Sequence, residues 1–202
     1  MSLLDVVRRR FTRPPEPVRA ALVDPDERVL AWGTLSREAG WLVATSRGLR
    51  TVGPAGGNLL PWHEVGSARW AGTNDGGGSF TVTPLTEVEP GVQAREPAVR
   101  HVLTDSGDLP AVVRRRVDQT VVTSQRHPLP SGGAVLLVAR RVPGQAAREW
   151  TVVFDDDADR DDPAARELAR ERLAAAVAAD DPTRGAGGVG VSGCRSRSRC
   201  GS

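Results

Sequence analysis

The chain has 202 residues, enough for one domain with a proper core plus tails or at most two small domains, and its 39% apolar content is ordinary for a soluble protein. Its formal net charge is only +2, so no global field draws it onto nucleic acid. Every basic residue other than histidine is arginine; the missing lysine excludes phosphate-loop, Schiff-base and kinase-type lysine chemistry, and the missing tyrosine excludes tyrosine acid catalysis.

The start, MSLLDVVRRRF, has a weak helical pattern in Leu3, Leu4, Val7 and Phe11. Its basic residues follow the apolar ones, the reverse of a secretory signal, and no apolar run reaches the length of a membrane-spanning helix. Cytoplasmic residence is the default expectation. RPPEP then stops any helix, so residues 1–17 read as an arm. Arg8, Arg9 and Arg10 beside that apolar patch are candidate contacts to an anionic membrane surface at the inner face; the competing reading is a solvated arm.

From Arg28 the pattern is that of strands. RVLAWGTL is followed by a turn, and WLVATSRGLRTV alternates, with Trp41, Val43 and Thr45 on one face and Leu42 and Ala44 on the other. Gly48 is expected to supply the backbone freedom of a tight turn after Thr45-Ser46-Arg47. GPAGGN reads as a loop, LLPWHEVGSARWAG as a strand broken at Pro61, TNDGGG as a hairpin loop and SFTVTPL as a cleanly alternating strand. EVEPGVQARE reads as loose chain and AVRHVLT as a short strand.

The period then changes. In GDLPAVVRRRVDQTVVTS, Val113, Val117, Thr120, Val121 and Ser124 fall at helical spacing, with Asp108 as cap and Pro in the first turn, although the β-branched content argues the other way. Arg116 lies near the apolar stripe, while Arg114 and Arg115 lie away from it. Strands resume at GGAVLLVARRV and EWTVVFD. The acidic turn DDDADRDDP follows, in which Asp162 caps a helix that Pro163 opens; Leu168, Ala169, Leu173, Ala176 and Val177 give that helix one narrow apolar face. Residues 181–202 hold nothing that could build a core and read as a disordered Gly/Arg/Ser-rich tail.

GWLVATSRGLRTV, NLLPWHEVGSARW and the closing helix at 163–179 resemble the bacterial pleckstrin-homology-like domains, a class that includes GRAM-like modules. The stretch LPAVVRRRV…VARRVPG…EWTVVFD…DDP is similar to a group of actinobacterial proteins built on the same plan. The resemblance covers residues 18–180 at the level of pattern. It implies an α+β, mostly β fold: an antiparallel pleckstrin-like barrel or sandwich with an inserted helix and a C-terminal capping helix. It also implies a non-catalytic binding or scaffold module, with a protein partner or an anionic lipid surface as ligand and no cofactor. Arg47 and Trp62 are the candidate ligand contacts on the barrel, weighed against a purely fold-determining role for the TSRG turn and the tryptophans.

Other chemistry is weaker. Gly188–Gly193 matches the dinucleotide fingerprint letter for letter, but lies too near the end of the chain for the βαβ unit that gives it meaning. His63, His101 and His127 have no paired metal spacing, and the acidic turn lacks the bend glycine and terminal glutamate of a calcium loop, so no metal is expected. A small hydrolase or transferase using His63 and Glu64 is the enzymatic alternative, supported only by adjacency. Nucleic-acid contact through the basic tail, where Cys194 and Cys200 flank RSRSR, is a third reading that the small net charge disfavours.

Overall fold

The computed structural model describes residues 13–180, apart from 37, 38, 55, 143, 144 and 146. The strands are β1 (Val29–Leu35), β2 (Trp41–Thr45), β3 (Gly48–Gly53), β4 (Gly56–Pro61), β5 (Val65–Gly72), β6 (Gly78–Glu89), β7 (Val92–Arg95), β8 (Val99–Asp105), β9 (Val121–Pro128), β10 (Ala134–Arg141) and β11 (Arg148–Phe154). The described helices are α1 (Glu16–Ala20), α2 (Leu109–Thr120) and α3 (Pro163–Asp180), and a 3-10 turn lies at Trp62–Glu64. The protein is therefore mostly β with a C-terminal helix. Among the described residues the strands join one sheet in the order β4-β3-β2-β1-β8-β6-β7-β11-β10-β9, and β5 pairs with β6 off that path.

The long strand β6 divides this sheet into two groups. Its first half, Gly78–Val82, pairs with β8, and Gly78–Pro84 pairs with β5; its second half, Leu85–Glu89, pairs with β7. On the first group, Leu109 and Val113 of α2 pack among Ala31, Leu42, Ala44, Leu49, Trp62, Val65, Phe80, Val82 and Leu103. On the second, Ala165 and Ala169 of α3 pack among Val92, Val135, Leu137, Val152 and Phe154. Each helix thus buries its apolar stripe on its own strand group.

This changes the roles expected of the two helices. The helix that covers β1–β6 and β8 is α2, which the sequence presents as an insertion, whereas the C-terminal α3 covers β10 and β11. Its contact runs through the small residues Ala165 and Ala169, which let the helix approach closely, and Val177 at the far end is 52% exposed. Asp162 caps α3 as expected: its carboxylate accepts the Ala164 N–H at 2.9 Å. The Ser131 hydroxyl and that N–H hold this carboxyl below the usual aspartate range.

Other departures have local causes. The period-3.6 match of Val121 and Ser124 is coincidental, because α2 ends at Thr120 and β9 begins at Val121 with no loop. There the β-branched run Val121-Val122-Thr123 prevails and Val121 pairs with Arg140. GPAGGN is half strand: Gly56 and Gly57 pair with Gly53 and Val52, a ladder made of backbone alone. EVEPGVQARE is a hairpin in which β6 runs on to Glu89 and returns as β7. Gly91, at φ 73°, supplies the left-handed residue its turn needs. Gly48 keeps ordinary strand geometry and is required for close approach instead, since a Cβ there would lie 2.2 Å from the Leu60 carbonyl oxygen. Helix α1 begins inside the segment expected to be an arm, and Val18 from it is fully buried against Val43 and Val52.

Two tests follow from this packing. Gly48→Ala drives a methyl into the β4 backbone and is expected to lower unfolding stability in urea by about 1–3 kcal/mol; an unchanged midpoint would show that β4 yields at no cost. For Asp162, whose folded pKa is depressed, the stabilisation is present above the ordinary value of 3.8 and is lost as pH falls below it. Asp162→Ala is therefore expected to be less stable than the parent at pH 7, with the gap closing toward pH 3; a gap that is constant with pH would exclude the ionised cap as its source.

Candidate functional site

Thr45-Ser46-Arg47 is a turn organised by one hydroxyl. Thr45 Oγ1 donates to the Gly48 carbonyl at 3.1 Å and accepts the N–H groups of Arg47 and Gly48 at 3.2 and 3.1 Å. That uses the full capacity of a buried hydroxyl. The Thr45 carbonyl accepts the indole N–H of Trp62 at 3.0 Å, and Trp62 itself is 1% exposed. Ser46 ties the turn back to β1 through its N–H to the Arg28 carbonyl and through its hydroxyl, which accepts the Arg28 N–H. Arg47 points outward, half exposed, and forms an ion pair with Asp24.

Beside this turn lies a cavity of about 630 Å³. Ser46 and Trp62 form one wall; Arg116, Gln119 and Thr120 from the last turns of α2 form another; Arg141, Val142, Gln145, Ala147 and Arg148 around the β10–β11 connection form a third. Three arginines, Arg116, Arg141 and Arg148, are among its lining residues, and among the described residues none that lines it is acidic. Trp62 therefore belongs to the site as well as to the core, while Arg47, though next to Ser46, is not part of the lining. Arg8, Arg9 and Arg10 lie outside the described residues, as do Cys194, Cys200 and Gly188–Gly193.

The electrostatics of this cavity are unbalanced. Arg141 and Arg148 stand directly opposite each other on β10 and β11, an arrangement of like charges that destabilises a sheet. Arg148 is partly relieved by Asp180, but Arg141 and Arg116 have no ion-pair partner among the described residues. The C-terminus of α2 contributes roughly half a negative charge, which three full positive charges outweigh. Behind the cavity floor, Arg140 is 5% exposed and its Nη1 reaches Thr120 Oγ1 at 3.4 Å, while its Nε is buried with no partner. Burial pushes this guanidinium below the usual arginine range. A buried cation with one long hydrogen bond is a cost to the fold.

The structure also alters the geometry of His63 and Glu64. They sit on the 3-10 turn and not on a strand, so their side chains converge, with His63 Nε2 3.7 Å from Glu64 Oε1. Neither residue lines the arginine cavity. Of the residues that do, the sequence put forward only Trp62 as a ligand contact. The signal for the others was ARRVPGQAARE, in which a strand ending in two arginines turns back into a strand beginning with a third.

Arg140 yields a direct test. Arg140→Met keeps most of the volume and removes the unpaired charge, so it is expected to raise the urea midpoint. A fall would show that the guanidinium joins the two strand groups through Thr120 at a net gain. No family model matches the chain, and neither a curated protein nor a solved structure matches it.

Proposed function

We propose that the protein is a non-catalytic binding module of pleckstrin-like build, acting in the cytoplasm, and that it takes an anionic ligand in the arginine-lined cavity. The observation that carries this reading is the facing pair Arg141 and Arg148, which with Arg116 belong to the lining of a cavity that has no acidic residue among its described lining. Like charges held this way cost stability in the free protein, and an entering anion removes the cost. The buried Arg140 behind Thr120 adds to the positive potential there. The volume is within the range of pockets that enclose a small molecule or a few residues of a peptide.

The pleckstrin-like assignment draws its support from the order β4-β3-β2-β1-β8-β6-β5, seven strands whose core is covered by one amphipathic helix, α2. The strands beyond it, β7 and β9–β11, then form an added layer, and the cavity lies where that layer meets the α2 end of the seven-stranded part. On this reading the TSRG turn is a structural element that positions Ser46 and Trp62, and binding is the work of residues from both layers.

Thermal unfolding with polyglutamate or with anionic lipid vesicles, at low and at near-physiological salt, tests the proposal. A ligand at 100 times its Kd adds about 2.7 kcal/mol of stability, enough to read as a clear rise in Tm. The rise is expected to shrink with salt and to vanish in Arg141→Glu. If no anionic probe shifts the parent at low salt, or if Arg141→Glu keeps the full shift, the cavity is not a binding site.

A further inference from the structure

Asp180 ends α3 beside Arg148, one of the residues that line the cavity. Its Oδ1 accepts from Arg148 Nη2 at 2.5 Å and its Oδ2 accepts from the Trp150 indole at 2.9 Å. A carboxylate in this position meets the negative end of the helix dipole, so it stays only because Arg148 and Trp150 hold it. Arg148 is thus shared between a carboxylate of its own chain and the cavity, where Arg141 faces it across the β10–β11 pair. The protein's own Asp180 already shows the chemistry that Arg148 accepts, a single aspartate side chain brought in on a peptide backbone.

Several features separate the occupants that could supply more of that chemistry. The two end segments of this chain are ruled out by charge: residues 1–12 carry three arginines to one aspartate, and residues 181–202 carry four to one. A membrane surface needs apolar residues around the mouth, and Val122 is the one exposed large apolar residue of the described chain that lines the cavity. Bare phosphate offers acceptors alone, whereas the lining residues also include Gln119 and Gln145, a residue type that carries both a donor and an acceptor and so can match a peptide group. Finally, β9 leaves the cavity wall at Val122 as a terminal strand of the sheet, and among the described residues nothing pairs with its outer side.

We propose, resting on the binding-module reading above, that the ligand is an extended acidic segment of a partner protein. It adds along β9, its carboxylates take Arg116 and Arg141, and it competes with Asp180 for Arg148. Asp180 is then an internal competitor that sets the affinity. While it holds Arg148 only part of the protein is competent, and the apparent Kd is weakened in proportion.

The test is fluorescence anisotropy of the full chain with a labelled ten-residue peptide of alternating Glu and Ser, beside a Lys/Ser peptide, inorganic phosphate as competitor, and sedimentation with anionic vesicles. Asp180→Asn keeps an acceptor for Trp150 and removes the charge, so it is expected to bind the acidic peptide several-fold tighter than the parent. Arg141→Gln is expected to bind it at least about tenfold weaker. Thermal melts establish that both variants fold. Acidic-peptide binding that is unchanged by Asp180→Asn overturns the competitor role. Binding to vesicles or to phosphate with none to the acidic peptide overturns the peptide assignment while leaving the anion site in place. If no probe binds at all, the site itself fails.

Discussion

The arrangement turns on Trp62. Its side chain fills the centre of the core formed by β1–β3, β5, β6, β8 and α2, and its indole N–H is fixed by the Thr45 carbonyl. Removing so large a buried side chain from a core costs on the order of 3–5 kcal/mol, a large share of what holds a domain of this size together. The same residue defines the end of the cavity at the TSRG turn. Any adjustment of that wall must therefore be made against close packing, which favours a preformed site over one that adapts to its ligand.

On the opposite wall the constraint is electrostatic. Arg141, Arg148 and Arg140 come from the ends of two strands whose registry puts positive charges next to one another. A sheet of this length could bury apolar or paired groups at those positions. It holds instead an unpaired buried guanidinium, a facing arginine pair and an aspartate at the wrong end of a helix. Departures of this kind from local consistency concentrate where a fold has been shaped around a ligand.

Legibility in the sequence followed the physical nature of each signal. SFTVTPL and EWTVVFD announce their strands by alternation, and the Asp162-Pro163 pair announces α3, because these depend on a residue's own preferences and near neighbours. Strand β4 was hidden because Gly56 and Gly57 contribute backbone hydrogen bonds and no side-chain pattern. Strand β7 has only four residues and draws one partner from far along the chain. The boundary at Thr120 was hidden because valines and threonines fit both periods. Trp62 was visible as a candidate site residue, but the cavity was not. It depends on the register that sets Arg141 against Arg148, and on β6 bringing β10 and β11 beside an earlier turn, neither of which is written in a local window.

The parallel pairing of β7 with β11 also bears on how the molecule is assembled. The two strands lie about 60 residues apart in sequence, so β7 waits on one side for a partner that emerges from the ribosome much later. By then β1–β6, β8 and α2 have all been synthesised and hold a complete core among themselves. The growing chain can thus condense in two stages, with β7 displayed as an unsatisfied edge between them. The order of synthesis makes the earlier strands the template on which the cavity-bearing layer is laid.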